Sequence, residues 1–295
     1  VYRCYFEKAD FASLPADCVT RIHLLQFRAS TIKTPSQCAK GIGLVSQAYT
    51  WAKNEIMPGA TSVLYDGINP AEGIESPAML SRERILTHAE ISRLLTGIES
   101  LPLKYRTFFL CRLIVPCRIT ELCNMRREDV DLANGKWIKR VTKNGRPQQT
   151  HIPSQAAWLL RAMPNEGKYF FMGYGDRPIQ TKSVRKQWNA FRQALDCQDV
   201  QLLDFRRTLS SYLYSQVKAD DLTAKAILNH YDGRPVAIYT RLNYEYLAGI
   251  VQAYADWICG TKEDSHAYQS HLPFAYSVIH RMRPAQPGYG NGECS

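Results

Sequence analysis

The chain has 295 residues, of which 45% are hydrophobic, enough for a core and for two domains of ordinary size. Lysine and arginine number 37 against 27 acidic residues, a formal charge of +10, and such a surplus attracts polyanions, nucleic acid first among them. The longest apolar runs, residues 108–111 and 113–115, fall far short of the roughly 20 residues a membrane span needs, and no signal peptide is visible. The nine cysteines are an odd number without a Cys-x-x-Cys pair, which reads as free thiols in a reducing cytoplasm rather than as a zinc site. The chain begins at Val1 rather than Met and is read as a fragment or a processed product.

In chain order, residues 1–34 have weak periodicity and are assigned only short helices. Residues 35–56 read as a helix, because Ile42, Val45, Tyr49, Ala52 and Ile56 recur at three- and four-residue steps. Residues 57–77 carry Pro58-Gly59, Asn69-Pro70 and Ser76-Pro77 and read as a loop and linker. Thr87-His88-Ala89-Glu90 spells a capping box, and Ile91, Leu94, Leu95 and Ile98 form the apolar face of the helix it starts. A further helix covers residues 104–115, Pro116 interrupts it, and a short helix resumes over 118–125. Residues 136–142 are β-like, Asn144-Gly145-Arg146-Pro147 is a turn, and residues 149–152 return as a strand; Asn-Gly between such runs signals a hairpin. Helical patterns then cover residues 155–162, 183–195, 203–216, 222–229 and 244–258. Beyond them the Pro-, Gly-, Ser- and Tyr-rich tail has no periodicity.

Five polar residues stand out by their company. Arg118 opens a short helix in Pro116-Cys117-Arg118-Ile119-Thr120-Glu121-Leu122. Lys143 sits at the hairpin tip. Arg206 lies in Leu203-Asp204-Phe205-Arg206-Arg207-Thr208, His230 ends Ile227-Leu228-Asn229-His230, and Tyr239 follows nine residues later. In this order, with one hairpin between them, they resemble the motifs of the tyrosine recombinases, also called the phage integrase family: Arg-x-x-Glu-Leu, a hairpin lysine, His-x-x-Arg, Leu-x-His and a tyrosine nine residues past that histidine. The resemblance covers residues 82–259, with prophage and genomic-island integrases the nearest in wording. Taken singly, each residue has an ordinary explanation: a helix-end charge, a solvated loop lysine, a basic helix face, a C-terminal cap, one packing tyrosine among 17. Tyr244 and Tyr246 are close rivals of Tyr239.

The residue types suit one chemistry. A phosphodiester under attack spreads negative charge over its non-bridging oxygens, and Arg118 and Arg206 could clamp it with forked hydrogen bonds. His230 could donate to a phosphate oxygen. Tyr239 would be the nucleophile, and Lys143 the general acid for the departing 5′-oxygen. The resemblance implies a 3′-phosphotyrosyl link made without ATP, cofactor or metal. Glu121, three residues after Arg118, would orient it.

One position departs from the family: the second box begins with Leu203 where histidine or lysine is usual, and leucine can neither handle a proton nor hold a phosphate. Gln201 is a possible substitute. A catalytically impaired DNA-binding relative, a type IB topoisomerase-like enzyme and a basic helical scaffold therefore stay open.

The expected fold is mainly α with a small β-hairpin sheet. Residues 1–75 would be a helical core DNA-binding domain truncated at its N-terminus, 76–81 a linker, 82–259 the tyrosine-recombinase catalytic domain and 260–295 a loosely ordered tail. Lys40, Lys53, Arg185 and Lys186 are candidates for phosphate contacts. The expected partner is double-stranded DNA at attachment-type sites, bound by a homotetramer on paired sites, with residues 244–259 nominated for assembly.

Overall fold

Two separate sets of apolar residues close into two cores in the computed structural model, one within Val1–Arg82 and one within Glu83–Ser295. The structure describes residues 9–78, 82–142, 147–230 and 243–260, together with Phe6 and Gly145.

In the first unit, α1 (Arg21–Thr31) and α2 (Pro35–Asn54) pack on one another. Pro35 takes the first turn of α2, where its missing N–H costs nothing. Leu24 and Phe27 of α1 meet Cys38, Ile42, Val45 and Tyr49 of α2. A side chain at Gly41 would stand 2.6 Å from the Phe27 ring, so glycine is what lets the two helices approach. α1 is longer than the short helices expected there. The 57–77 stretch is not a bare linker either. Ala71 enters the core, the Asn69 amide donates to Ser46 O at 3.2 Å, and Arg21 donates to the carbonyls of Glu72 and Gly73.

In the second unit the Thr87–Glu90 capping box starts α3 (His88–Gly97) as expected, with Glu90 N donating to the Thr87 hydroxyl. The central helix is α4 (Leu103–Ile114). It is buried from Thr107 onward, and the helices Ile119–Cys123, Ser154–Ala162, Leu202–Ser215 and Tyr244–Cys259 pack against it. After Pro116 the chain restarts as the short α5 (Ile119–Cys123). Strands β2 (Lys136–Lys139) and β3 (Gln148–His151) form the expected antiparallel hairpin, with Lys136 opposite His151 and Lys139 opposite Gln148. A two-residue strand, β1 (Val130–Asp131), pairs with β2 and makes the sheet three-stranded.

Helices α6 (Ser154–Ala162), α7 (Thr181–Ala194), α8 (Leu202–Ser215), α9 (Asp221–Leu228) and α10 (Tyr244–Cys259) complete the unit. The molecule is thus mainly α with one small sheet, the class read from the sequence.

Helix α10 is anchored within its own unit. The segment nominated for subunit assembly buries Ala248, Val251, Tyr254, Ala255, Ile258 and Cys259 in its own core, and Tyr254 donates to Leu113 O at 3.1 Å. Among the described residues the cysteines carry free thiols, and no helix is long and apolar enough to cross a membrane.

Candidate active site

The site forms where α9 ends. A helix leaves its last four carbonyls without helical partners, and their partial negative charge attracts cations. Four groups answer that demand. Asn229, with φ at 50°, turns the chain left-handed, and the His230 amide reaches back to Lys225 O at 2.9 Å. Gln148, at the start of β3, donates to Ala226 O at 3.0 Å and Ile227 O at 3.2 Å. Arg206 of α8 donates to Leu228 O. Arg118 donates to Asn229 O at 3.4 Å. The Arg206 Nη2 also stands 3.5 Å from His230 Nε2. Three of the five residues picked from the sequence, Arg118, Arg206 and His230, therefore meet at one helix end.

Each arginine is held differently. Arg118 caps α5. Its own amide donates to Glu121 Oε2 at 2.8 Å, and its Nη1 donates to Glu121 Oε1 at 2.9 Å, the orienting role expected of Glu121. The second oxygen of that carboxylate also faces Lys139, whose Nζ is 3.5 Å away and donates to Pro116 O at 3.1 Å. Arg206 makes no ion pair among the described residues. Burial, and then the neighbouring Arg118 charge, push it down to about 10. Burial first, and then Arg206 and Arg118, hold His230 below the usual histidine range, so its ring is neutral near pH 7.

One buried side chain joins the two arginine-bearing segments. Arg112 of α4, only 2% exposed, donates through Nη1 to Cys117 O and through Nη2 to Leu202 O at 2.9 Å. Cys117 directly precedes Arg118, and Leu202 begins the helix that carries Arg206. Sequence reasoning missed Arg112, Lys139 and Gln148. The signals were a lone arginine inside the apolar run 108–115, and a lysine two residues from Trp137, on the same face of a strand.

Two hollows flank Arg118. One, of about 710 Å³, is lined by Arg118, Arg185, Arg192, Gln201, Leu203 and Arg206, so Arg185 opens on the same basin as the paired arginines. The other, of about 540 Å³, is lined by Arg118, Glu121, Asn124, Lys139 and Arg140, among others. Leu203 is 53% exposed on the first basin and offers no polar group there. Gln201 lines the same basin, while its amide donates to Asp204 Oδ2 at 2.8 Å.

Lys143 and Tyr239 lie outside the described residues. Of the rival tyrosines, Tyr246 is exposed and Tyr244 is tied into the fold. The Tyr244 hydroxyl donates to Gly135 O at 3.2 Å, and Lys136 Nζ lies 4.9 Å from its ring centre. Burial, with Glu245 and Asp131 nearby, pushes Tyr244 up to about 12, the wrong direction for a nucleophile. Lys186 does not line either hollow, Lys40 and Lys53 lie on α2 of the first unit, and Arg207 is paired with Asp204 at 2.9 Å. Among the described residues, no group of three or more His, Cys, Asp or Glu is placed to hold a metal ion.

The sequence pattern of the phage integrase family matches residues 84–246, a stretch that contains all five candidates. The chain belongs to the phage integrase family. Among similar proteins, tyrosine recombinase XerA of Thermococcus kodakarensis is 25% identical over 191 residues, 62% of this chain and 67% of that one. Tyrosine recombinase XerC of Xylella fastidiosa is 28% identical over 196 residues, 63% of this chain and 66% of that one. The matches to these relatives thus span about two thirds of their length. Among solved structures, the XerH site-specific recombinase bound to its difH substrate gives a TM-score of 0.57 at 14% identity, covering 81% of this chain and 71% of that one. The lambda integrase bound to DNA gives 0.55 at 18% identity, covering 75% and 80%. Likeness at these identities is likeness of fold, and it places this integrase-family chain in the recombinase architecture.

Proposed function

We propose that this integrase-family chain is a site-specific DNA recombinase that cleaves and rejoins duplex DNA through a 3′-phosphotyrosyl intermediate on Tyr239. The observation that carries the reading is the meeting of Arg118, Arg206 and His230 at the end of α9. Two guanidiniums and a neutral imidazole give a donor-rich cradle in which, among the described residues, only Arg118 of the two arginines is matched by a carboxylate. Such a cradle favours the phosphate most when charge builds on its non-bridging oxygens.

In the first step the Tyr239 oxygen bonds to phosphorus and the bond to the 5′-oxygen breaks. The tyrosine loses its proton to solvent, and the leaving oxygen gains one from Lys143, which solvent then reprotonates. A free tyrosine titrates at about 10, and the surplus positive charge helps it ionise during attack. Rejoining runs in reverse, with a 5′-hydroxyl displacing the tyrosine.

The partner in this reading is duplex DNA carrying attachment-type sites, and the working form is a homotetramer on two of them in the cytoplasm. Among the fold's neighbours, lambda integrase has been solved as a tetramer on a Holliday junction. Residues 1–75 would grip the DNA as a core-binding domain, and 82–259 would carry the chemistry.

The test is covalent trapping. The full chain is incubated with nicked DNA from its own flanking sites, and a protein–DNA adduct is sought by denaturing electrophoresis. Wild type should give an adduct and Tyr239→Phe none. An adduct from Tyr239→Phe, or none from wild type, would sink the assignment.

A further inference from the structure

Lys139 is the group that the reaction just described leaves unused. It is charged in character yet only 4% exposed, on the same strand face as Trp137, whose neighbour Ile138 points outward at 48% exposure. A lysine is seldom buried without a partner. Its Nζ finds two: Pro116 O at 3.1 Å and Glu121 Oε2 at 3.5 Å. The other oxygen of the same carboxylate receives the Arg118 guanidinium at 2.9 Å. Glu121 is thus gripped from both sides, by a strand lysine and by the candidate phosphate-binding arginine.

We propose that Lys139 is a positioning residue for Arg118, acting through Glu121: it anchors one carboxylate oxygen so that the other holds the guanidinium facing the phosphate. The inference rests on the recombinase reading for its kinetic consequences, but its geometry is independent of Tyr239.

Two effects follow from the arrangement. The first is orientation. A carboxylate held at Oε2 by Lys139 and by the Arg118 amide cannot rotate, and Arg118 Nη1 is fixed with it. The second is charge. With Lys139 protonated, Arg118, Arg206, Lys139 and Glu121 sum to two positive charges, and with Lys139 neutral they sum to one. Burial pushes Lys139 down to about 8, against the pull of Glu121 and the nearby Cys117, and Arg206 pushes it the same way as burial. Burial raises Glu121 as well, but Lys139 and the Arg118 hydrogen bonds outweigh it and keep the carboxylate ionised. Asp129 and Arg140, on the same hollow, are paired with each other. The site therefore loses a cation as pH rises through about 8, where free lysine would still be charged.

The experiment compares wild type, Lys139→Met, Glu121→Gln and the double variant in the trapping assay from pH 6.5 to 9.5. Methionine keeps the volume beside Trp137 and removes the charge. Lys139→Met should form adduct about tenfold more slowly at pH 7, with a smaller loss of DNA affinity. The gap should close above about pH 8.5, where wild type has itself lost the proton. In the Glu121→Gln background, Lys139→Met should cost clearly less than it does alone, because only its charge effect is left.

Equal rates at every pH, or an undiminished loss without Glu121, would overturn the proposal. So would rescue of Lys139→Met by a 5′-bridging phosphorothiolate, whose leaving group needs no proton, because that would make Lys139 the acid. If wild type gives no adduct, the recombinase reading fails, and DNA affinity at pH 7 decides this inference instead. Lys139→Met should then weaken binding in wild type and not in Arg118→Ala, and equal losses would overturn it. Thermal melting completes the set: Lys139→Met takes a donor from Pro116 O and a partner from the buried Glu121, so it should melt below wild type yet stay folded at the assay temperature, and a variant unfolded there would make Lys139 structural only.

Discussion

Arg118 and Arg206 occupy two regions of one unit that treat a partly buried guanidinium in opposite ways. Around Arg118 the chain supplies a carboxylate and a second cation to hold that carboxylate still. Around Arg206 it supplies backbone carbonyl and a neutral imidazole, and leaves the charge unmatched among the described residues. The first arrangement fixes direction. The second keeps positive potential in reserve: burial first, and then that potential, pushes Arg206 and His230 toward their neutral forms, while Glu121 is kept ionised. A cradle for a reacting phosphate needs both, because direction without surplus charge binds weakly and surplus charge without direction does not discriminate the transition state.

The comparison can be broken most directly by removing each arginine. Arg206→Ala and Arg118→Ala should each lower the rate of adduct formation by about 10²- to 10³-fold. They should part company in the titration of His230, followed by NMR. Arg206→Ala should raise its pKa further than Arg118→Ala, because Arg206 is the larger of the two charge effects on it. Equal shifts would mean that the two regions are not electrically distinct.

Arg112→Met tests whether the regions depend on a shared brace. It leaves the buried carbonyls of Cys117 and Leu202 without their donor, and unfolding by urea should report a loss of about 2 kcal/mol. Adduct formation should fall more than DNA affinity does. An activity loss with unchanged stability would contradict the bracing role.

Acid gives a smaller effect. Burial holds His88, His151 and His230 below the usual histidine range. Below about pH 6.5 the unfolded chain binds protons that these folded histidines refuse, so stability should fall as pH drops from 7 to 5. Thermal melts across that range check the sign. The smallest expected change is a gain: Leu203→His puts a donor on the rim of the Arg206 basin and should raise the rate of adduct formation by about threefold. No change, with folding intact, would show that Leu203 is a neutral departure.

Much of this was legible in the sequence. The capping box at Thr87, the break at Pro116 and the hairpin on either side of Gly145 were readable because each is a local rule met by adjacent residues. Motif spacing likewise gathered Arg118, Arg206 and His230 before any coordinates did. What escaped was nonlocal. β1 has two residues, too few for an alternation to show. In α1 the buried Leu24 and Phe27 are interleaved with the exposed Ile22 and Leu25, which blurs the periodicity. The Gly/Pro-spiked stretch looked like a linker because Asn69 and Arg21 bond to residues distant in sequence. Lys139 went unnoticed because its partner Glu121 lies on another element.

Arg112 has a consequence for how such a molecule can change over time. The separation of two gripping points is set by one side chain in the interior, as the jaw width of a caliper is set by its frame. Residues on the outer faces of the unit can drift, while the spacing between the segments that carry Arg118 and Arg206 stays constant. A lineage built this way can vary its surface without disturbing the distance between its paired guanidiniums.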